Sequence, residues 1–146
     1  MENRYVIDTV GLINYFNVFF EESNVLSSET RKKIDLCFDK YINSHKLIIP
    51  SLVFLEIFRK FLITESMVRR FYYEIFINIR ESENIEIKPL EKEVLEIFQN
   101  LNDFDMEHND KIIYSSAIQL NSSLISNDPV IIKYNNKRRF IPAIIF

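Results

Sequence analysis

The run Arg4-Tyr5-Val6-Ile7-Asp8-Thr9 constrains this chain more than any other stretch. A β-branched and aromatic run of this length predicts a buried strand, and Val10, Ile13, Phe16 and Phe20 then recur at helical spacing. Strand, turn and helix follow one another directly. In open α/β sheets the ligand crevice lies outside the carboxyl ends of the strands, so Asp8, which closes the first strand, stands where a working residue of such a fold belongs.

The alternation continues along the chain. Ser27-Ser28-Glu29-Thr30 reads as a helix start, followed by Ile34, Leu36, Cys37, Phe38, Tyr41 and Ile42 on the apolar face and Arg31, Lys32 and Lys33 in the first turn. Leu47-Ile48-Ile49 predicts a short strand, and Pro50-Ser51 opens a helix with Ser51 as N-cap and Val53, Phe54, Ile57, Phe58 and Phe61 apolar. Further helices are predicted over Thr64 to Ile79 and Leu90 to Leu101, with a strand at Ile85 to Ile87 between them and a polar, acidic loop over Asn102 to Asn109. Asp110 begins a helix through Ile113 and Ala117, Ser123 to Ser126 forms a fourth strand, Asp128-Pro129 starts a short helix, and Phe140 to Phe146 ends the chain as a last strand. Strands alternating with helices of this length predict an α/β fold with a central parallel sheet of four to five strands covered on both faces.

Length and composition narrow the function. A chain of 146 residues is expected to form one domain over 1–146 and to bury roughly 70% of the surface its unfolded form exposes. The single glycine excludes a glycine-rich phosphate loop, because such loops need several glycines for close backbone approach to phosphate. Cys37 is alone, which excludes an intrachain disulfide and a cysteine-based zinc site and fits a reducing, cytoplasmic setting. No signal peptide or membrane span is expected, since the most apolar window, Leu47 to Phe58, is broken by Pro50 and Glu56. The net charge of -3 argues against a strongly basic nucleic-acid binder, yet enzymes that hold metal in a carboxylate pocket act on nucleic acid without overall basicity.

Four carboxylates fall at one end of the predicted sheet. Asp8 ends the first strand and Asp128 sits two residues past the fourth. Asp110 opens the helix leading into that fourth strand, and a crossover helix runs antiparallel to the strands, so it starts near their carboxyl ends. Glu56, on the second turn after Leu47-Ile48-Ile49, interrupts an apolar run in which an unpaired buried carboxylate would be costly. Aspartate is a favoured N-cap, which explains Asp8, Asp110 or Asp128 taken singly. Capping does not explain why acids recur at matching points of three strand units. Converging carboxylates repel unless protons or cations neutralise them, and an all-oxygen set suits Mg²⁺ or Mn²⁺ better than zinc. Such ions polarise a phosphoryl oxygen and activate water, which points to phosphodiester hydrolysis.

At these residues the chain resembles the PIN-domain ribonucleases, in particular the single-domain toxins of VapBC toxin-antitoxin systems. The segments "YVIDTVGLINYF", "IIPSLVFLEIFRKF" and "HNDKIIYSSAIQLNSSLISNDPVI" resemble that family's three motif blocks in order and span nearly the whole chain. The resemblance implies a PIN-like three-layer α/β/α fold and Mg²⁺- or Mn²⁺-dependent endonucleolytic cleavage of RNA. It implies that Asp8, Glu56, Asp110 and Asp128 are the catalytic, metal-holding acids, with Thr9 and Ser126 orienting them from behind. It further implies a cognate antitoxin that holds the enzyme inactive, and a homodimer. The alternative is a non-catalytic PIN-like module that binds RNA or protein through the same fold. A phosphoryl-accepting receiver domain would also present a strand-end acid such as Asp8, but no lysine stands convincingly opposite that pocket.

Other residues carry weaker signals. Asp103, Asp105 and Glu107 read as a solvated loop, as clustered charge usually does, with an outer-sphere metal ligand as the alternative, and His108 reads as a surface histidine, with a proton shuttle as the alternative. Lys137-Arg138-Arg139 and Arg69-Arg70 are candidate phosphate contacts. Phe71, Tyr72, Tyr73 and Phe76 have the spacing of a helix packing into a core or a partner's groove.

Overall fold

In the computed structural model, which describes residues 2–139 and 142–146, the strands form a five-stranded, all-parallel sheet of order β3-β2-β1-β4-β5. The strands are β1 (Asn3–Ile7), β2 (His45–Pro50), β3 (Ile85–Lys88), β4 (Ser123–Ile125) and β5 (Ile144–Ile145). The central strand is buried on both faces, as parallel sheets require: Val6 and Ile7 are inaccessible to solvent, with Val6 opposite Ile48 on one side and Leu124 on the other.

Strand order decides where the site lies. From β1 the chain moves outward to β2 and β3, then returns across the sheet to β4 and continues to β5. Right-handed crossovers place α1 (Thr9–Tyr15), α2 (Asn17–Phe20), α3 (Ser28–Phe38), α4 (Ser51–Phe61), α5 (Glu65–Phe71) and α6 (Ile77–Glu81) on one face. The opposite face carries α7 (Lys92–Asn100), α8 (His108–Gln119) and α9 (Pro129–Lys137). Contacts of α1 with α4, and of α8 with α7 and α9, agree with this division. The connections of β1 and β4 leave in opposite directions, which opens a crevice between the carboxyl ends of these two neighbours. No helix of the described residues is long and apolar enough to cross a membrane.

Several helix boundaries follow local chemistry. Ser27 and Thr64 accept hydrogen bonds from Thr30 N and Met67 N at the starts of α3 and α5, and Pro129 occupies the first turn of α9 behind Asp128. Others depart from expectation. The first helix breaks at Phe16, because Arg31 of α3 donates to the carbonyls of Asn14 and Tyr15 and so satisfies the end of α1. Val10, in the first turn of α1, is 45% exposed instead of in the core. Ser51 is the first residue of α4, whose N-cap is Pro50, with no side-chain bond. The predicted helix over 64–79 is interrupted by a π-helical turn at Tyr72–Phe76, whose wider ring brings Phe71 and Phe76, five residues apart, both against Phe54. Tyr41 and Ile42 lie beyond α3, and Tyr41 is exposed. Of the expected last strand, Ile144–Ile145 pairs with β4, while Phe140 and Ile141 lie outside the described residues.

The one glycine sits where α1 lies tight against the sheet. A Cβ at Gly11 would stand 2.8 Å from Ile7 Cγ1, 3.1 Å from Asp8 Oδ1 and 3.3 Å from Ile125 Cγ2. Alanine is the better helix former, but here it would push α1 away from β1 and β4. Gly11→Ala is expected to destabilise the fold by roughly 1–3 kcal/mol, the usual cost of overpacking, read as a lower urea midpoint with an unchanged m-value; a midpoint equal to or above wild type would show that the contact relaxes freely.

Candidate active site

The crevice between β1 and β4 is a cleft of about 450 Å³ whose lining includes Asp8, Glu56, Asp110 and Asp128. Each acid arrives by a different local device. Asp8 follows β1 and caps α1, its Oδ1 accepting from Gly11 N at 2.7 Å. Its own N–H donates to Ile125 O at 3.1 Å, which ties it to the end of β4. Asp128 caps α9, with Oδ1 accepting from Val130 N at 2.8 Å and Ile131 N at 3.3 Å. Asp110 is not a cap: α8 begins at His108 with Glu107 as its N-cap, so Asp110 lies within the first turn. Glu56 projects from the middle of α4 and is 9% exposed. Capping and convergence are therefore compatible, because the two capping aspartates face the same cleft.

Two hydroxyls hold these acids. Thr9 Oγ1 donates to Glu56 Oε1 at 2.8 Å and joins α1 to α4. Ser126, inaccessible to solvent apart from 1% of its surface, sits beside the Asp8 carboxylate and favours its charged form, and its hydroxyl accepts from the Asp128 backbone N–H at 3.2 Å. Three further groups of the cleft are not marked as site residues by any sequence motif. Glu22 enters from the turn after α2, where Glu21 adopts a left-handed conformation with φ 56°. Asn14 accepts from Val25 N and steadies that loop. Lys60 stands one helical turn beyond Glu56, its Nζ 3.9 Å from Oε2. Of these, only Lys60 has a signal in the sequence, its four-residue spacing from Glu56. Glu107 also lines the cleft and faces Asp110 while staying exposed, in keeping with its reading as a solvated loop residue.

Other expected contributors sit elsewhere. Asp103 turns back to accept from Asp105 N and Met106 N, and His108 packs edge-on against Phe98 at 5.7 Å. Arg69 pairs with Glu65, Arg70 with Glu74, and Arg138 lies over the Tyr114 ring. Phe71 is buried and, with Tyr72 and Phe76, lines a separate apolar groove that Phe58, Leu62 and Val68 complete.

Burial raises the Asp8 carboxyl to about 6, against the opposing hydrogen bonds from Ser126 and Gly11, and the charges of Asp128 and Glu56 push it further up. Asp110 is likewise held well above the usual carboxylate range, first by burial, then by the charge of Asp128 and a hydrogen bond shared with it, then by Glu107 and Asp8. No three histidine, cysteine, aspartate or glutamate side chains among the described residues stand in a geometry that holds an ion as placed. The donor set nonetheless fits a hard divalent cation: it is all oxygen, lines one cleft, and carries a repulsion that a cation would relieve.

That repulsion has a measurable sign. Below the unfolded-state value near 3.8 Asp8 is protonated in both states. As pH rises towards 6 the unfolded chain releases its proton first, so the metal-free fold loses stability through this window. Asp8→Asn keeps a capping oxygen and removes the charge. It is expected to raise stability above pH 6.5 by roughly 1–3 kcal/mol and to give no gain near pH 4, measured by urea unfolding in EDTA; an equal effect at both pH values would contradict the electrostatic account.

The sequence matches no family model and no curated protein. Similarity appears in solved structures. Chains of VapBC2 from Rickettsia felis, solved bound to a DNA fragment from its promoter, and of FitAcB from Neisseria gonorrhoeae superpose with a TM-score of 0.63 at 17% and 12% identity, over 97% of this chain and 96% of each of theirs. A chain of a toxin-antitoxin complex from Klebsiella pneumoniae gives a TM-score of 0.55 at 16% identity with the same coverage. The fold expected from the motif blocks is therefore the fold observed: a PIN-like α/β/α sandwich, shared with chains of these three assemblies.

Proposed function

We propose that the protein is a Mg²⁺- or Mn²⁺-dependent endoribonuclease and the toxin of a toxin-antitoxin pair. The observation that carries this reading is the meeting of Asp8, Glu56, Asp110 and Asp128 in one cleft, with two of them held above the ordinary carboxylate range by burial and by one another. These four residues would hold the ion, which supplies Lewis-acid charge for phosphodiester hydrolysis when bound. The chain's own contribution is positional. Thr9 fixes one oxygen of Glu56, Ser126 fixes Asp8 relative to Asp128, and the caps on α1 and α9 lock the two aspartates against rotation.

The likeness to chains of VapBC2 and FitAcB supports a cognate antitoxin as partner. The apolar groove of Phe58, Leu62, Val68, Phe71, Tyr72 and Phe76 offers such a protein about 270 Å³ of non-polar space. RNA as substrate and a homodimeric state belong to the same proposal. The second reading, a non-catalytic binding module, is favoured by one observation: no three ligand-type side chains among the described residues hold an ion-binding geometry as placed.

The decisive experiment incubates purified protein with a pool of single-stranded and structured RNA in Mg²⁺, Mn²⁺ or EDTA, beside Asp110→Asn. Cleavage is expected with either metal, none in EDTA, and a loss on the order of a hundredfold or more in the variant. Thr9→Val, which removes only the hydroxyl on Glu56, is expected to lower activity roughly tenfold to a hundredfold. Mn²⁺ should raise the melting temperature of the wild type more than that of Asp110→Asn. Absence of both cleavage and a Mn²⁺-dependent shift would give the binding-module reading the lead.

A further inference from the structure

A cleft lined by carboxylates repels the phosphate it is meant to receive, so the cations available at its mouth decide how a polyanion can enter. The charged residues lining this cleft are Asp8, Glu22, Glu56, Glu107, Asp110 and Asp128, with Lys60 the one cation among the described lining residues. The basic pairs that stand out in the sequence lie elsewhere: Arg69 and Arg70 pair with Glu65 and Glu74 along α5 and the turn that follows it, and Arg138 sits on Tyr114.

Lys60 is poised to move. Its ammonium stands 3.9 Å from Glu56 Oε2, beyond hydrogen-bond length, and its side chain is 54% exposed. An exposed i,i+4 pair of this kind contributes little to a helix, so redirecting the ammonium costs little. Glu56 does not depend on it, because Oε1 is already held by Thr9 at 2.8 Å. The neighbouring Phe61 fixes the end of α4 by packing edge-on against Phe20 at 5.1 Å, so the lysine stem leaves a well-anchored turn.

We propose that Lys60 is a substrate-binding residue that contacts a backbone phosphate of the RNA at the mouth of the cleft, leaving Glu56 to the metal. This rests on the nuclease reading above. The contact is sequence-independent: an ammonium against a phosphate oxygen positions the strand and reads no base.

The test compares wild type, Lys60→Met and Lys60→Arg in two assays across a salt series: steady-state cleavage of a short single-stranded RNA in Mg²⁺, and fluorescence-anisotropy binding of the same labelled RNA with Ca²⁺ in place of Mg²⁺. Lys60→Met is expected to raise KM and the dissociation constant about tenfold and to leave kcat within about threefold, as for loss of uniform binding. Its log–log salt slope should be shallower by about 0.7, the counterion released by one single-strand phosphate contact. Lys60→Arg should restore the slope. Wild-type cleavage beside a Lys60→Met protein with unchanged KM, binding and slope would overturn the role of Lys60 alone. A wild-type protein that neither binds nor cleaves RNA would overturn the nuclease reading and this contact with it.

Discussion

The rest of the site depends on the withdrawal of one carboxylate, Asp8, from water at the point where the sheet reverses its order of connection. An ionised group there must be compensated by hydrogen bonds or counter-charge. The Gly11 N–H and the Ser126 hydroxyl provide the first. The Gly11 bond needs α1 so close to β1 that a side chain at residue 11 would meet Ile7 and Ile125. The Ser126 oxygen also accepts from the Asp128 backbone N–H and so holds the exit from β4. The compensation is incomplete, and the residual repulsion is what a bound cation would relieve.

Helix capping and acid convergence are one construction. A parallel sheet delivers every strand to the same edge, and each following helix begins there with unsatisfied N–H groups. Asp8 and Asp128 satisfy those groups and become rigid in doing so. Glu56 needs a different support, since it stands in mid-helix. It comes from Thr9 and from the aromatic cluster that seats α4, in which Phe54 and Phe58 pack against Phe71 while Phe61 meets Phe20.

Much of this fold is legible in the amino-acid sequence. β1, the strand within residues 45–50, the caps at Ser27 and Asp128 and the start of α5 after Thr64 follow from patterns a few residues wide, and the structure has them. The departures share a cause. Val10, Phe16 and Phe20 satisfy a helical period, yet α1 ends after Tyr15 because Arg31, distant in sequence, binds its last carbonyls. The 64–79 segment has the pattern of one helix, but aromatic packing against α4 is better served by a π-helical turn. Lys60 and Glu22 carry no motif; they join the cleft because α4 and the turn after α2 end beside it.

By itself the sequence determined the alternation of strand and helix, the all-oxygen character of the acids and the exclusion of glycine-rich phosphate loops, since each is a property of residue type and short-range spacing. Only the tertiary structure decided which groups share the cleft, that Thr9 serves Glu56 while Ser126 serves Asp8, and that the lone glycine stands where a side chain would meet Ile7 and Ile125. Strand order is the reason. Pairing β1 with β4 brings residues 8 and 126 side by side, and burial there sets the protonation of Asp8 through neighbours no local window contains.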